Sequence, residues 1–130
     1  MKVFVDTSAF YASLNPEDHY HHAAQQTLEH LKESEPITTN YVLLECASLI
    51  QKRQGFSPAK IFLTKISEML QIVWIDERLH QEAISIWTKA QNRGLSLVDC
   101  TSFAAMKHAG VRQVIAFDPH FVTHGFEILP

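Results

Sequence analysis

Short apolar runs alternate along the chain with longer stretches in which apolar residues recur every three or four positions. The short runs are Val3-Phe4-Val5, Ile37-Thr38-Thr39, Ile72-Val73-Trp74-Ile75, Val114-Ile115-Ala116-Phe117 and Phe126-Glu127-Ile128-Leu129. Their length and β-branched content predict strands. The longer stretches predict six helices. Thr7 to Leu14 is the first, stopped by Asn15-Pro16. Glu17 to Ser34 is the second, with Tyr20, Ala24, Thr27, Leu28 and Leu31 on one face. Asn40 reads as the N-cap of a third, which runs to Gln54 and closes at Gly55. Ser57-Pro58 opens a fourth, whose apolar face is Ile61, Phe62, Ile66, Met69 and Leu70. Asp76 caps a fifth, with Leu79, Ala83, Ile86, Trp87 and Ala90 inward, and that helix ends near Arg93-Gly94. Ser96 to Ala109 is the sixth, closed by Gly110. Alternation of this kind implies an α/β fold: a three-layer α/β/α sandwich around a mainly parallel sheet. No repeat, low-complexity segment or linker divides the chain, so residues 1–130 are expected to form one domain.

Composition changes this picture little. With 46% hydrophobic and 19% charged residues the chain is an ordinary globular protein. A net charge of -3 supplies no global attraction for nucleic acid, although a local basic rim around an acidic site remains compatible with it. Cys46 and Cys100 form no CxxC, which excludes a zinc ribbon or a disulfide framework. A reduced, cytoplasmic setting is expected. The apolar run after Lys2 is too short for a signal peptide, and no run reaches the roughly 20 apolar residues of a membrane span.

The acids carry the candidate chemistry. Asp6 follows the first strand directly, and ligands of open α/β sheets sit beyond the carboxyl ends of strands. Asp118 repeats the pattern after Val114 to Phe117, and Asp76 after Ile72 to Ile75. Each of these can also be a helix cap, with Pro119 at the first helical position after Asp118, and Asp76 is read as a cap because its helix is long and regular. Asp99 stands three residues after Ser96, the spacing of a capping box, which puts its carboxylate in a first helical turn at the same end of the sheet as Asp6. Glu45 resists such an explanation. Tyr41, Val42, Ser48 and Leu49 are its helical neighbours, and a carboxylate on so apolar a face is costly unless paired, protonated or bound to a cation. Lys52 or Arg53 could be its ion-pair partner.

Four acids converging at one end of a sheet repel unless a cation holds them. Hard oxygen donors with little nitrogen or sulfur suit Mg²⁺ or Mn²⁺. One ion lowers the pKa of its bound water, and two ions about 3.5–4 Å apart clamp the attacking and leaving oxygens of an in-line phosphoryl displacement. Phosphodiester hydrolysis is the chemistry these residues fit best. Other sites are poorly supported: His19, His21, His22 and His30 crowd a polar helix without a third ligand, and no Gly-x-Ser-x-Gly elbow or glycine-rich phosphate loop is present. Lys52, Arg53 and Arg93 are candidate phosphate contacts.

Four segments in order resemble the PIN-domain ribonucleases, and among them the VapC-like toxins of bacterial toxin–antitoxin modules. They are Val5-Asp6-Thr7-Ser8-Ala9, Asn40-Tyr41-Val42-Leu43-Leu44-Glu45, Ser96-Leu97-Val98-Asp99 and Phe117-Asp118-Pro119-His120-Phe121. The resemblance implies cleavage of RNA dependent on one or two Mg²⁺ or Mn²⁺ ions, with Asp6, Glu45, Asp99 and Asp118 as the catalytic, metal-binding acids and Thr7 and Ser8 as their support. It further implies a homodimer and a cognate antitoxin. One position departs from the family pattern: where a threonine often stands two residues before the fourth acid, this chain has Ala116. A PIN fold kept as a non-catalytic binding module is the alternative. A phosphatase is disfavoured because Ser8 stands where an Asp-x-Asp motif needs its second acid, and a receiver domain because adjacent acids near the first strand are not evident.

Overall fold

Val3, Phe4 and Val5 offer nothing polar, and each is buried completely or nearly so, which places their strand at the centre of the molecule. The computed structural model describes residues 1–129. Its strands are β1 (Lys2–Val5), β2 (Glu35–Thr39), β3 (Gln71–Val73), β4 (Gln113–Ile115) and β5 (Glu127–Ile128). They form one sheet in the order β3-β2-β1-β4-β5, and every pairing is parallel. Phe4 sits opposite Ile37 on one side and Val114 on the other. The helices are α1 (Thr7–Leu14), α2 (His21–His30), α3 (Asn40–Gln54), α4 (Phe56–Met69), α5 (Glu77–Ala90), α6 (Leu97–Ala109) and the short α7 (His120–Thr123). With the right-handed crossovers that parallel connections adopt, this strand order puts α1 to α4 on one face of the sheet and α5 and α6 on the other, giving the expected three-layer α/β/α sandwich. No helix among the described residues is long and apolar enough to cross a membrane.

The order of the strands positions the site. From β1 the chain builds outward through β2 to β3, then returns to lay β4 against the opposite side of β1. The direction of winding reverses between β1 and β4, and the helices on either side diverge there, leaving a crevice at the carboxyl ends of these two strands.

Several boundaries differ from the pattern-based expectation, most of them because a side chain captures a backbone group. The second helix begins at His21, not Glu17. Asn15 Oδ1 accepts the Glu17 N–H at 3.1 Å and Asp18 Oδ1 accepts the Tyr20 N–H at 2.9 Å, so residues 15–20 are turns. The N-cap of α3 is Thr39, whose Oγ1 accepts the Val42 N–H at 3.0 Å. Asn40 is the first helical residue, and its Oδ1 accepts the Ile75 N–H at 2.6 Å. That bond also ends β3 at Val73 and leaves Trp74 exposed. In the same way Ser8 Oγ accepts the Phe117 N–H at 3.0 Å just beyond the end of β4 at Ile115. Gly55, at φ 105°, begins α4 one residue before Ser57 and leaves Pro58 in the first turn, where no N–H is needed. Glu35 and Pro36 belong to β2; Pro36 is tolerated because β3 pairs only from Ile37 onward. Asp76 caps α5 as expected, its Oδ1 accepting the Leu79 N–H at 2.9 Å. Trp87, expected inward, is largely exposed, as are Ile61 and Met69 of α4.

Helix α6 is the hydrophobic keystone. Asp99 to Met106 are all buried, and Phe103 packs on Phe121 and Phe126 with ring centroids 5.1 and 5.5 Å apart. Truncating Phe103 removes a fully buried ring that Phe121 of α7 and Phe126, just before β5, both rest on. Phe103→Ala is expected to lower unfolding stability by about 3–5 kcal/mol in urea titration. A loss below about 1 kcal/mol, in the range of a surface change, would show that α6 is not the centre of the core.

Candidate active site

Asp6 is the first residue beyond β1. Its N–H continues the ladder to Ile115 O at 3.1 Å, and its side chain turns back to cap α1. Oδ2 accepts the Ser8 N–H at 3.2 Å and the Ser8 hydroxyl at 2.7 Å. Asp99 closes a capping box on α6: Ser96 Oγ accepts the Asp99 N–H at 3.0 Å, and Asp99 Oδ2 accepts the Ser96 N–H at 3.4 Å. Because α6 runs antiparallel to the strands, its first turn lies at their carboxyl ends. Asp118 stands just past β4. It is not itself the cap of α7, which is Pro119, but its Oδ1 accepts the His120 N–H at 2.9 Å. Glu45 is in the second turn of α3, half-buried. Asp6, Glu45, Asp99 and Asp118 line one cleft of about 510 Å³ at the β1/β4 switch point, and Thr7 and Ser8 line it with them. An apolar recess of about 290 Å³ elsewhere, bounded by Phe10, Leu28, Leu31, Phe62 and Ile66, contains no carboxylate.

Capping explains where Asp6 and Asp99 sit but not their electrostatic state. Burial pushes the Asp6 carboxyl up to about 6, against the lowering effect of its bonds to Ser8 and the Thr7 backbone, and the Glu45 charge adds to the rise. Burial pushes Asp99 up to about 7, with the charges of Asp6 and Asp118 adding to it and the Ser96 bonds opposing. Asp6 and Asp99 thus share a space that disfavours their charged forms. Arg53 does not relieve them by pairing with Glu45: its Nη1 donates to Tyr11 Oη at 3.0 Å. Cys46 and Cys100 are buried, and burial with neighbouring carboxylates holds their thiols near 12 and 11. Neither is available as a thiolate.

The two hydroxyls beside Asp6 differ. Ser8 is fully engaged, donating to Asp6 and accepting from Phe117. Thr7 Oγ1 is buried and has no hydrogen-bond partner among the described residues. Such an atom fits a site that takes a water or an ion's hydration shell. Among the described residues no three or more His, Cys, Asp or Glu side chains form a ready-made metal cage. The donor set nevertheless suits Mg²⁺, which keeps several waters and takes only one or two carboxylates directly. Ala116 is buried in the core.

Other residues reach the cleft that pattern reading did not place there. Tyr11, Asp18, Tyr20 and Phe117 line it, and Arg53 does so alone of the three basic candidates. Arg93 borders a separate recess with Trp87 and Gln91, although its neighbour Gly94 reaches the cleft. Tyr20 was expected on the buried face of a helix; it lies at the mouth of the cleft because the Asx turns at Asn15 and Asp18 delay α2. Asn-Pro followed by Asp two residues before the tyrosine was the available signal.

Known proteins resemble this chain in sequence and in fold. The family model for the PIN domain matches residues 3–127. The 23S rRNA-specific endonuclease VapC20 of Mycobacterium tuberculosis is 32% identical over 130 residues, covering 98% of each chain. The crystal structure of M. tuberculosis VapC20, a sarcin-ricin loop cleaving toxin, superposes with a TM-score of 0.89 at 30% identity over 98% of both chains. The structure of VapBC2 from Rickettsia felis bound to a promoter DNA fragment shares the fold at a TM-score of 0.74 and 13% identity, covering 99% of this chain and 98% of that one. The chain belongs to the PIN-domain family.

Proposed function

We propose that this protein is a divalent-metal-dependent endoribonuclease, the toxin of a toxin–antitoxin pair. The convergence of Asp6, Glu45, Asp99 and Asp118 on one cleft at the switch point carries the reading. Mg²⁺ or Mn²⁺ would be held by Asp6 and Asp99, with Glu45 and Asp118 reached directly or through water. When bound, such an ion lowers the pKa of its water and steadies charge on the phosphate. The chain's own residues do the rest. Ser8 fixes the orientation of the Asp6 carboxylate, and Ser96 that of Asp99. Thr7 Oγ1 is free to order a water at the base of the cleft. Asp118 spends one oxygen on the His120 N–H and keeps the other for the site. Arg53, held by Tyr11, offers its remaining donors to a phosphate.

Similarity to VapC20 makes ribosomal RNA the first substrate to test. The same reading takes a cytoplasmic site of action, an antitoxin protein as partner and a homodimer as the assembly. With magnesium, the wild-type protein is expected to cleave ribosomal RNA. Asp6→Asn and Asp99→Asn should each cut the rate by about a hundredfold or more, since even the outer partners of metal ligands are worth roughly ten- to a hundredfold. Asp118→Asn should cost less, and circular dichroism should report an intact fold for all three. Equal cleavage by wild type and Asp6→Asn would overturn the assignment.

The acids also predict how stability responds to pH. Burial raises Asp6 to about 6 and Asp99 to about 7 in the folded state, above the ordinary aspartate value of 3.8. Between pH 4 and 7 the folded state therefore binds more protons than the unfolded one, and stability falls as pH rises through that window. In a chelator the melting temperature should decline from pH 5 to pH 8. Magnesium or manganese should restore it at pH 8 and do little at pH 5, where protons occupy the same carboxylates. A metal-independent melting temperature at pH 8 would contradict the proposed site.

A further inference from the structure

The mouth of the acidic cleft carries an aromatic cluster that hydrolysis itself does not require. Tyr20 lies parallel to Phe117, with ring centroids 4.4 Å apart and an interplanar angle of 7°. Both residues line the cleft, and Tyr20 keeps 44% of its surface exposed. His19 stands nearly perpendicular to Tyr20 at 4.8 Å. A tyrosine placed only to fill the core would be buried; this one is offered to solvent beside four carboxylates.

The ring is also held in place. The Tyr20 N–H donates to Asp18 Oδ1 at 2.9 Å, and Tyr20 O accepts the Ala24 N–H at 2.8 Å. The next residue is tethered to α1, with His21 Nδ1 lying 2.8 Å from Ala12 O. Phe117 is fixed from the other side by its N–H to Ser8 Oγ, and the same hydroxyl donates to Asp6 Oδ2. The aromatic surface therefore has a set position relative to the first acid: carboxylate, hydroxyl, Phe117 backbone, then ring on ring. Arg53 is the single lysine or arginine among the described residues lining the cleft. A flat aromatic surface, one cation for a phosphate and four acids, all lining one cleft, match a nucleotide unit turned out of its stack.

We propose that Tyr20, stacked on Phe117, is a nucleobase platform that makes the cleft select an unpaired, splayed-out nucleotide of the RNA. The proposal rests on the nuclease reading above and adds a specificity-determining residue to it. A duplex cannot bring a base edge-free onto such a ring, whereas a loop or single strand can. Because every base has a π-face, the platform chooses conformation rather than sequence. Its aromatic face matters and its hydroxyl does not, so Tyr20→Phe should retain the function that Tyr20→Ala loses.

The test uses a single-stranded oligoribonucleotide carrying one 2-aminopurine, whose fluorescence is quenched when it stacks. Wild type, Tyr20→Ala and Tyr20→Phe are titrated with calcium in place of magnesium, and intact RNA is verified on the same samples. Quenching is expected with wild type and Tyr20→Phe, and is lost with Tyr20→Ala together with roughly tenfold or more in affinity. A fully paired duplex should give little quenching. In magnesium, Tyr20→Ala should raise KM by a similar factor and leave kcat nearly unchanged. Equal quenching and equal KM in wild type and Tyr20→Ala overturn the platform, as does loss in Tyr20→Phe as well, or no quenching by any variant. Failure of the wild type to cleave RNA would instead strike the nuclease reading, because quenching in calcium does not depend on cleavage.

Discussion

Ser8 Oγ bridges Asp6 Oδ2 and the Phe117 N–H, and this two-bond link joins the carboxyl ends of β1 and β4 across the switch point. Everything at the cleft is registered to it. Asp6 is turned by it toward the crevice, Phe117 is taken out of the β4 ladder by it, and Asp118 and Tyr20 follow from where Phe117 lies. Thr38 reinforces the same point from the other neighbour of β1, its Oγ1 donating to Val5 O at 2.8 Å. The central strand is thus gripped on both sides immediately before the acid. A rigid end is useful there because the acid is electrostatically uncomfortable, and a looser chain would swing it into water.

The discomfort is the counterpart of function. Asp6 and Asp99 are raised to about 6 and about 7 by burial and by one another's neighbours, yet their hydrogen bonds pull the other way. Ser8 and Ser96 orient the carboxylates without neutralising them. A protein seeking stability alone would pair the acids with an arginine or make them amides. Here the nearby Arg53 is drawn to Tyr11. Under the proposed reading, a hard divalent cation with its waters would balance the four oxygen acids.

Much of this frame was legible in the order of residues. Asp6 and Asp118 end apolar runs, Asp99 keeps capping-box spacing from Ser96, and the alternation of strands and helices dictates a parallel sheet that brings strand ends together. What stayed hidden depended on partners distant in sequence. Asn40 looks like a cap because asparagine favours caps, but its side chain is captured by the Ile75 N–H across the sheet, and Thr39 caps instead. The end of β4 depends on Ser8, more than a hundred residues earlier. Tyr20 fits a helical stripe with Ala24 and Leu28, and only the two turns before it set it on the lip of the cleft. Arg53 and Arg93 are alike as isolated basic residues; the packing of α3 against α1 separates them.

The central claim is that the four acids form a divalent-cation site, and the most direct measurement is anomalous diffraction from crystals soaked in manganese near pH 8. An anomalous peak is expected inside the cleft, in contact with Asp6 and Asp99 carboxylate oxygens, and should disappear in Asp6→Asn crystals. Ordered acids with no peak between them, or a peak only elsewhere on the molecule, would contradict it.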